Sequence, residues 1–390
     1  MTTLPTLPTA IRTQLAEATV TVLGPRPVTA WTARYFGPWW PTTEVPVDSH
    51  HDSELLVTAH TDPIHYQELA DRVGLEPHQT TSYAREPMLV THRSDGTILA
   101  VSPGQRLAYR AYRSSEHGRT LDIIGCDAEP VATATARLAR EAVRGRLLRA
   151  GWCLLHASAV TRDGRAFLTL GDKGAGKTTT ALTLARQPQW QLLANDRVFI
   201  RPDHHTGQLQ VLPWPAAIAV GLGLLRAFGW TDILRGRLDA GDQLHPTQDS
   251  RVTRALLAGS DEPLWDGKRE LKAQIWPHQL SDWFGIDLSQ RGAVTALLFP
   301  ALTYEGSPGS NPAAARPIED SDWLAGKTED RYPDIFELAR VPLGGTDLAR
   351  DLVTAELRAH LHQGLALTHD IQANARFLDQ ILGDYLRTFS

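Results

Sequence analysis

The sequence predicts an α/β fold. Three observations carry that expectation: a strand, loop, helix, strand order across residues 165–194, an amphipathic helix at 130–150, and short β-type runs punctuated by Gly and Pro through the first 130 residues. At 390 residues the chain has length for two or three domains of roughly 150 residues each. The expected division is an N-terminal α+β domain over 1–130, a core over 131–310 and a mostly helical C-terminal region over 311–390.

Taken in order, the apolar runs at 20–23, 54–58, 87–91 and 97–101 are separated by Gly, Pro, His and Asp, the pattern of strands and turns. Val131, Ala134, Leu138, Ala142, Val143, Leu147 and Leu148 then recur at helical spacing, with Arg on several other positions. Residues 153–160 and 165–170 flank Arg162-Asp163-Gly164, and Asp-Gly between two β-prone runs signals a hairpin. A helix is expected over 177–186, then strands at 191–194, 197–200 and 208–212. A helix over 216–228, a buried strand at 293–298 and helices over 348–388 complete the reading.

Composition removes several classes of protein. Apolar residues make up 42% and charged residues 21%, so long disorder and fibrous repeats are excluded. The 39 basic and 44 acidic side chains leave −5, which is no general surface for nucleic acid. The longest apolar stretch, 215–230, is interrupted by Arg226 and too short for a bilayer span. Residues 1–10 lack a basic start followed by an apolar segment, so no secretory signal is expected. With only Cys126 and Cys153, a reducing cytoplasmic setting is the expectation. The His50-His51 and His204-His205 pairs lack accompanying ligands and are expected to be solvated.

Residues Gly171-Asp172-Lys173-Gly174-Ala175-Gly176-Lys177-Thr178 match the phosphate-loop (Walker A) pattern G-x-x-x-x-G-K-[ST] at every fixed position. The context matches too: an apolar strand leads in and a helix leads out. Glycines let successive N–H groups wrap an oxyanion at the helix N-terminus. Lys177 is expected to reach the β- and γ-phosphates of ATP, and the Thr178 hydroxyl to ligate Mg²⁺. Lys173 stands at a variable position, where a solvated side chain is as reasonable as a catalytic one. Only five of the 39 basic residues are lysine, yet two of them fall in this loop.

Mg²⁺ needs a carboxylate, usually at the end of a neighbouring strand. Asp196, after Leu192-Leu193-Ala194, is the candidate, and a turn residue capping its own backbone is the alternative. Asn195 cannot act as a base but can orient a water or hydroxyl. Arg197 can pair with phosphate oxygens through its planar fork, or form a surface ion pair. Lys268, Arg269 and Lys272 form the other lysine cluster; they suit a solvated hairpin, with contact to the phosphates or an anionic acceptor as the alternative.

Leu155-His156-Ala157-Ser158-Ala159-Val160, the Arg162-Asp163-Gly164 turn, the phosphate loop and Leu193-Ala194-Asn195-Asp196-Arg197 together resemble the core of the HPr kinase/phosphorylase family and its kinase-related homologues. The resemblance spans about residues 130–300. It implies a P-loop kinase core, ATP and Mg²⁺, and transfer to a hydroxyl on a peptide, carrier protein or small metabolite. It also implies a homo-oligomer. By position it places Lys177 and Thr178 as ATP and Mg²⁺ ligands, Asp196 as the second of two strand-end aspartates, and His156 as the histidine beside the site.

Two positions depart from that pattern. Asn195 stands where the first aspartate, the general base, would be, and Thr179 stands where an acidic residue is usual. Either Asp196 doubles as metal ligand and base, or the acceptor needs little base help, because positioning dominates a loose phosphoryl transition state. His156 can bond the acceptor hydroxyl, the phosphates or the strand-end acid, or it is a core histidine satisfied by backbone groups. The N-terminal domain, unmatched, is assigned to acceptor recognition. The expected activity is ATP-dependent phosphotransfer; a nucleotide-binding regulator or scaffold is the competing expectation.

Overall fold

β-branched and aromatic runs joined by tight turns dominate the first 125 residues, and they assemble into one mixed sheet. The computed structural model describes residues 8–47, 55–84, 86–114, 118–203, 205–303, 306–324 and 333–388. His50, His51 and His204 of the sequence analysis lie outside them. The chain divides into two compact units, Met1–Trp152 with Leu324–Thr346, and Cys153–Trp323 with Asp347–Ser390.

The first unit contains β1 (Pro8–Leu15), β2 (Ala18–Pro25), α1 (Arg26–Phe36), β3 (Thr42–Val45), β4 (Leu55–Thr61), α2 (Pro63–Leu75), β5 (Gln79–Tyr83), β6 (Glu86–His92), β7 (Ile98–Ser102), β8 (Leu107–Ser114), β9 (Gly118–Gly125) and α3 (Ala128–Arg149). Its sheet runs β3-β1-β2-β4-β9-β8-β7-β6-β5. Helix α2 starts where the Asp62 carboxylate accepts the Ile64 and His65 amides, both at 3.0 Å, with Pro63 in the first turn. Helix α3 lies against β2, β4, β9 and α1. The boundary therefore falls after Trp152, and the helix expected to open the core belongs to the first unit.

The second unit contains β10 (Cys153–Leu155), β11 (Ser158–Arg162), β12 (Arg165–Thr169), α4 (Lys177–Ala185), β13 (Gln191–Ala194), β14 (Val198–Pro202), β15 (Leu209–Pro213), β16 (Ile218–Gly221), α5 (Leu222–Phe228), α6 (Thr231–Asp239), α7 (Ser250–Leu257), β17 (Leu264–Asp266), β18 (Arg269–Ile275), α8 (Pro277–Phe284), β19 (Gly292–Leu302), β20 (Gly309–Ser310), α9 (Asp347–Leu357), β21 (Leu361–Leu367) and α10 (Ile371–Thr388). The main sheet runs β10-β14-β15-β19-β12-β11-β13. The long β19 pairs with β12 on one side; on the other its first residues pair with β15 and its later ones with β21. Strands β16, β18 and β17 form a separate small sheet.

Five strand spacings separate β10 from β11 in that order, about 24 Å if the sheet were flat. Yet only His156 and Ala157 join them, and three residue steps span at most about 11 Å. The sheet is therefore strongly curled. The same holds for β13 and β14, joined by Asn195, Asp196 and Arg197. Apolar side chains of β10, β11, β12, β14, β15 and β19 line one face, which Val353 and Leu357 of α9 cover. Helix α4 lies against β11, β12 and β13, and α10 lies on α4.

Three sequence expectations are corrected. Residues 153–160 are two strands, because the chain bends at His156 to change position in the sheet. Residues 216–228 open with a strand, since Ile218–Gly221 pairs with β18 before α5 starts. The helices expected over 348–388 are interrupted: Leu361–Leu367 is a strand parallel to β19. Its apolar run can suit a buried helix as well as a strand, and only the pairing partner decides. The Asp163-Gly164 hairpin forms as expected, with φ of +53° and +75° and Arg162 opposite Arg165.

Candidate functional site

Strand β12 delivers the chain to the phosphate-loop motif. The Leu170 amide still donates to the Leu298 carbonyl of β19 at 2.9 Å, so the strand is anchored up to the loop's first glycine. Gly174 and Gly176 then take φ of +91° and +109°, a region costly for any residue with a Cβ. A Cβ on Gly176 would also stand 3.3 Å from Leu302. Backbone of this kind turns successive amides toward one concavity, and α4 begins directly behind it with no side-chain cap on its first turn. Asp172, Lys173 and Gly174 are exposed, while Gly171, Ala175, Gly176, Lys177, Thr178 and Thr179 are half-buried.

The Lys177 ammonium folds over the loop and donates to the carbonyls of Gly171, at 2.5 Å, and Asp172, at 3.2 Å. Its cation thus already lies beside the concavity. Behind the helix start, the Ser158 hydroxyl of β11 donates to the Lys177 carbonyl at 3.0 Å. Thr180 returns to the Gly176 carbonyl through both its amide, at 2.8 Å, and its hydroxyl, at 3.0 Å.

Strands β12, β19 and β21 run parallel, and β13 shares their direction through antiparallel β11. Their carboxyl ends form the edge where α/β sheets ordinarily place ligands. The β13 end is two strands from β12, about 10 Å. Asn195, Asp196 and Arg197 stand there, on one of the two short bends that curl the sheet. His156 stands on the other, half-buried, its amide donating to the Asp322 carbonyl at 2.7 Å. Topology thus brings all the sequence-selected residues to one edge of one sheet.

Their environments differ. Asn195 is 8% exposed, and its Oδ1 is buried without a hydrogen-bond partner. Asp196 is over half exposed and lies 3.3 Å from the Arg197 guanidinium. The surface ion pair foreseen as one option for Arg197 is therefore present, and its partner is the candidate metal ligand. Among the described residues no group of three or more His, Cys, Asp or Glu side chains could hold a metal unaided. The donor set fits Mg²⁺ in another way: one carboxylate and one hydroxyl suffice when phosphate oxygens and water supply the rest. The glycine-lined concavity with Lys177 at its rim fits a polyphosphate.

Sequence reasoning missed Arg316. It holds Asp322 by two hydrogen bonds, at 2.6 and 2.8 Å, and lies over the Phe299 ring at 5.5 Å. Asp322 raises the Arg316 pKa most, and Asp172 of the loop acts in the same direction. No local pattern marks this arginine; only the β19 neighbourhood brings it to the loop.

The geometry defines a mixed α/β protein carrying a strand, a glycine-rich loop and a helix at the carboxyl edge of a curled sheet. The chain matches no family model and no curated protein sequence. No helix among the described residues is long and apolar enough to cross a membrane.

Proposed function

We propose that the chain is an ATP- and Mg²⁺-dependent phosphotransferase of the HPr kinase-like type, acting in the cytoplasm on a hydroxyl of a peptide, carrier protein or small metabolite. The observation that carries this reading is the conjunction at one sheet edge of the glycine concavity, the Lys177 ammonium over it, and the Asn195-Asp196-Arg197 bend. Residues 171–179 would hold the phosphates, and Thr178 with Asp196 would hold Mg²⁺, which when bound neutralises charge developing on the transferred group. Lys177 would exchange its loop carbonyls for phosphate oxygens. His156 and Asn195 would orient the acceptor hydroxyl, and Asp196 would take its proton.

A second reading keeps nucleotide binding without transfer, as a regulator or scaffold. It is favoured by Asn195 at the base position and by the Asp196–Arg197 ion pair, which engages the carboxylate proposed for Mg²⁺.

Incubation with Mg·ATP and a pool of peptides and metabolites, followed by phosphorus NMR and mass spectrometry, separates the two. The first reading expects a phosphorylated product that Lys177→Ala abolishes. ATP-dependent thermal stabilisation with no product supports the scaffold, and no stabilisation at all defeats both.

A further inference from the structure

A shallow groove of about 460 Å³ lies in the second unit, lined by Ala315, Arg316, Pro317, Arg358, His360 and His362. Two arginines and two histidines line it, and none of the six residues is acidic. His362 ties the wall together: its ring nitrogens lie 2.8 Å from the Arg316 carbonyl and 3.0 Å from that of Leu357, at the end of α9. His360 reaches the Glu356 carbonyl at 2.9 Å. Arg316 has counter-ions in Asp322 and, at 3.8 Å, Glu319. Arg358 is exposed and has no ion-pair partner among the described residues.

Arg316 links the groove's wall to the loop: it packs on β19, and the Asp172 carboxylate of the loop acts on its charge. Arg316 covers Phe299, the residue after Leu298, whose carbonyl anchors Leu170 immediately before Gly171. A ligand on Arg358 and His360 that extends past Arg316 therefore runs toward the phosphate concavity. Small metabolites usually bind in clefts that enclose most of their surface. This groove is open, which suits a length of chain adding contacts outside it.

We propose that this groove binds the carboxylates of an acidic peptide segment, and that this segment carries the acceptor hydroxyl. The inference rests on the phosphotransfer reading and deepens it. Opposite charge on the segment steers it to the site, and a basic segment is repelled.

The test uses the full chain and fluorescein-labelled peptides of alternating Glu and Ser, or Gln and Ser, followed by anisotropy at low and raised salt. The Glu peptide is expected to bind at least about tenfold more tightly than the Gln peptide, a difference of about 1.4 kcal/mol, and to weaken with salt. Arg358→Glu should reduce Glu-peptide affinity about tenfold or more. Its side chain is exposed, so an unchanged melting temperature verifies the fold; His360→Gln serves as a second, milder variant. Equal binding of the two peptides, or an Arg358→Glu protein that binds like the parent, overturns the proposal. Displacement by free succinate at the peptide's own concentration overturns it in favour of a small anion. Binding of Mg·ATP is measured separately. Nucleotide binding without peptide selectivity defeats the groove alone, whereas peptide selectivity with no nucleotide binding defeats the phosphotransfer reading and the acceptor role with it.

Discussion

The Ser158 hydroxyl donates to the main-chain carbonyl of Lys177 at 3.0 Å, joining β11 to the first residue of α4. Ser158 is fully buried, so the donor end of the bond is shielded from water. It fixes the position from which the Lys177 side chain reaches the loop. Ser158→Ala is expected to lower the unfolding free energy by about 1 kcal/mol, the net worth of one buried hydrogen bond, in a urea titration. A variant as stable as the parent would show that this bond holds nothing.

Asn195 offers a contrast. Its Oδ1 is buried without a partner, so removing it breaks no hydrogen bond at that atom. Asn195→Ala should change stability by less than about 1 kcal/mol, while lowering phosphotransfer about tenfold or more if the amide orients the acceptor. Parallel measurement of melting temperature and product formation checks both. A large loss of stability with unaltered turnover would assign Asn195 to the core.

The Lys177 ammonium donates to carbonyls of the loop itself. Lys177→Ala is therefore expected to keep the protein folded and to remove the thermal stabilisation given by Mg·ATP. Differential scanning fluorimetry with and without nucleotide reads this directly. Equal shifts in variant and parent would place nucleotide binding elsewhere.

Gly364 of β21 lies so close to the chain before Arg316 that a Cβ there would stand 1.9 Å from the Asn311 carbonyl oxygen. That neighbour is backbone and cannot rotate away. Gly364→Ala should cost about 1–3 kcal/mol and, by shifting the segment that carries Arg316, weaken binding of the Glu peptide. Chemical denaturation and anisotropy test the two halves.

Burial pushes the Cys153 thiol up to about 12 from its ordinary 9.0. The folded pKa is the higher one, so the unfolded state releases its proton first. The stability contributed is complete below pH 9 and is lost as pH rises from 9 toward 12. Cys153→Ala should flatten the alkaline side of the stability profile over that interval. At neutral pH iodoacetamide should modify Cys126, which is only partly buried, and reach Cys153 only after unfolding. Early labelling of Cys153 would contradict its burial.

The contiguous parts of the site are legible in the sequence. The phosphate-loop pattern, the Asp163-Gly164 turn and the helix at 177–185 each depend on residues within a few positions of one another, so backbone preference and periodicity suffice to place them. The strands at Ile218–Gly221 and Leu361–Leu367 escape the same reasoning. Short apolar runs fit more than one element, and their partners β18 and β19 come from elsewhere in the chain.

The amino-acid order by itself determined that a glycine loop ending in Lys177 and Thr178 stands between a strand and a helix, because those dihedral requirements are local. Only the tertiary structure decided what surrounds it. Curling the sheet places His156 and the Asn195–Arg197 bend on neighbouring turns of the chain, and β19 carries Phe299, over which Arg316 lies. Those juxtapositions depend on which apolar faces bury one another over long chain separations, a choice no local window records.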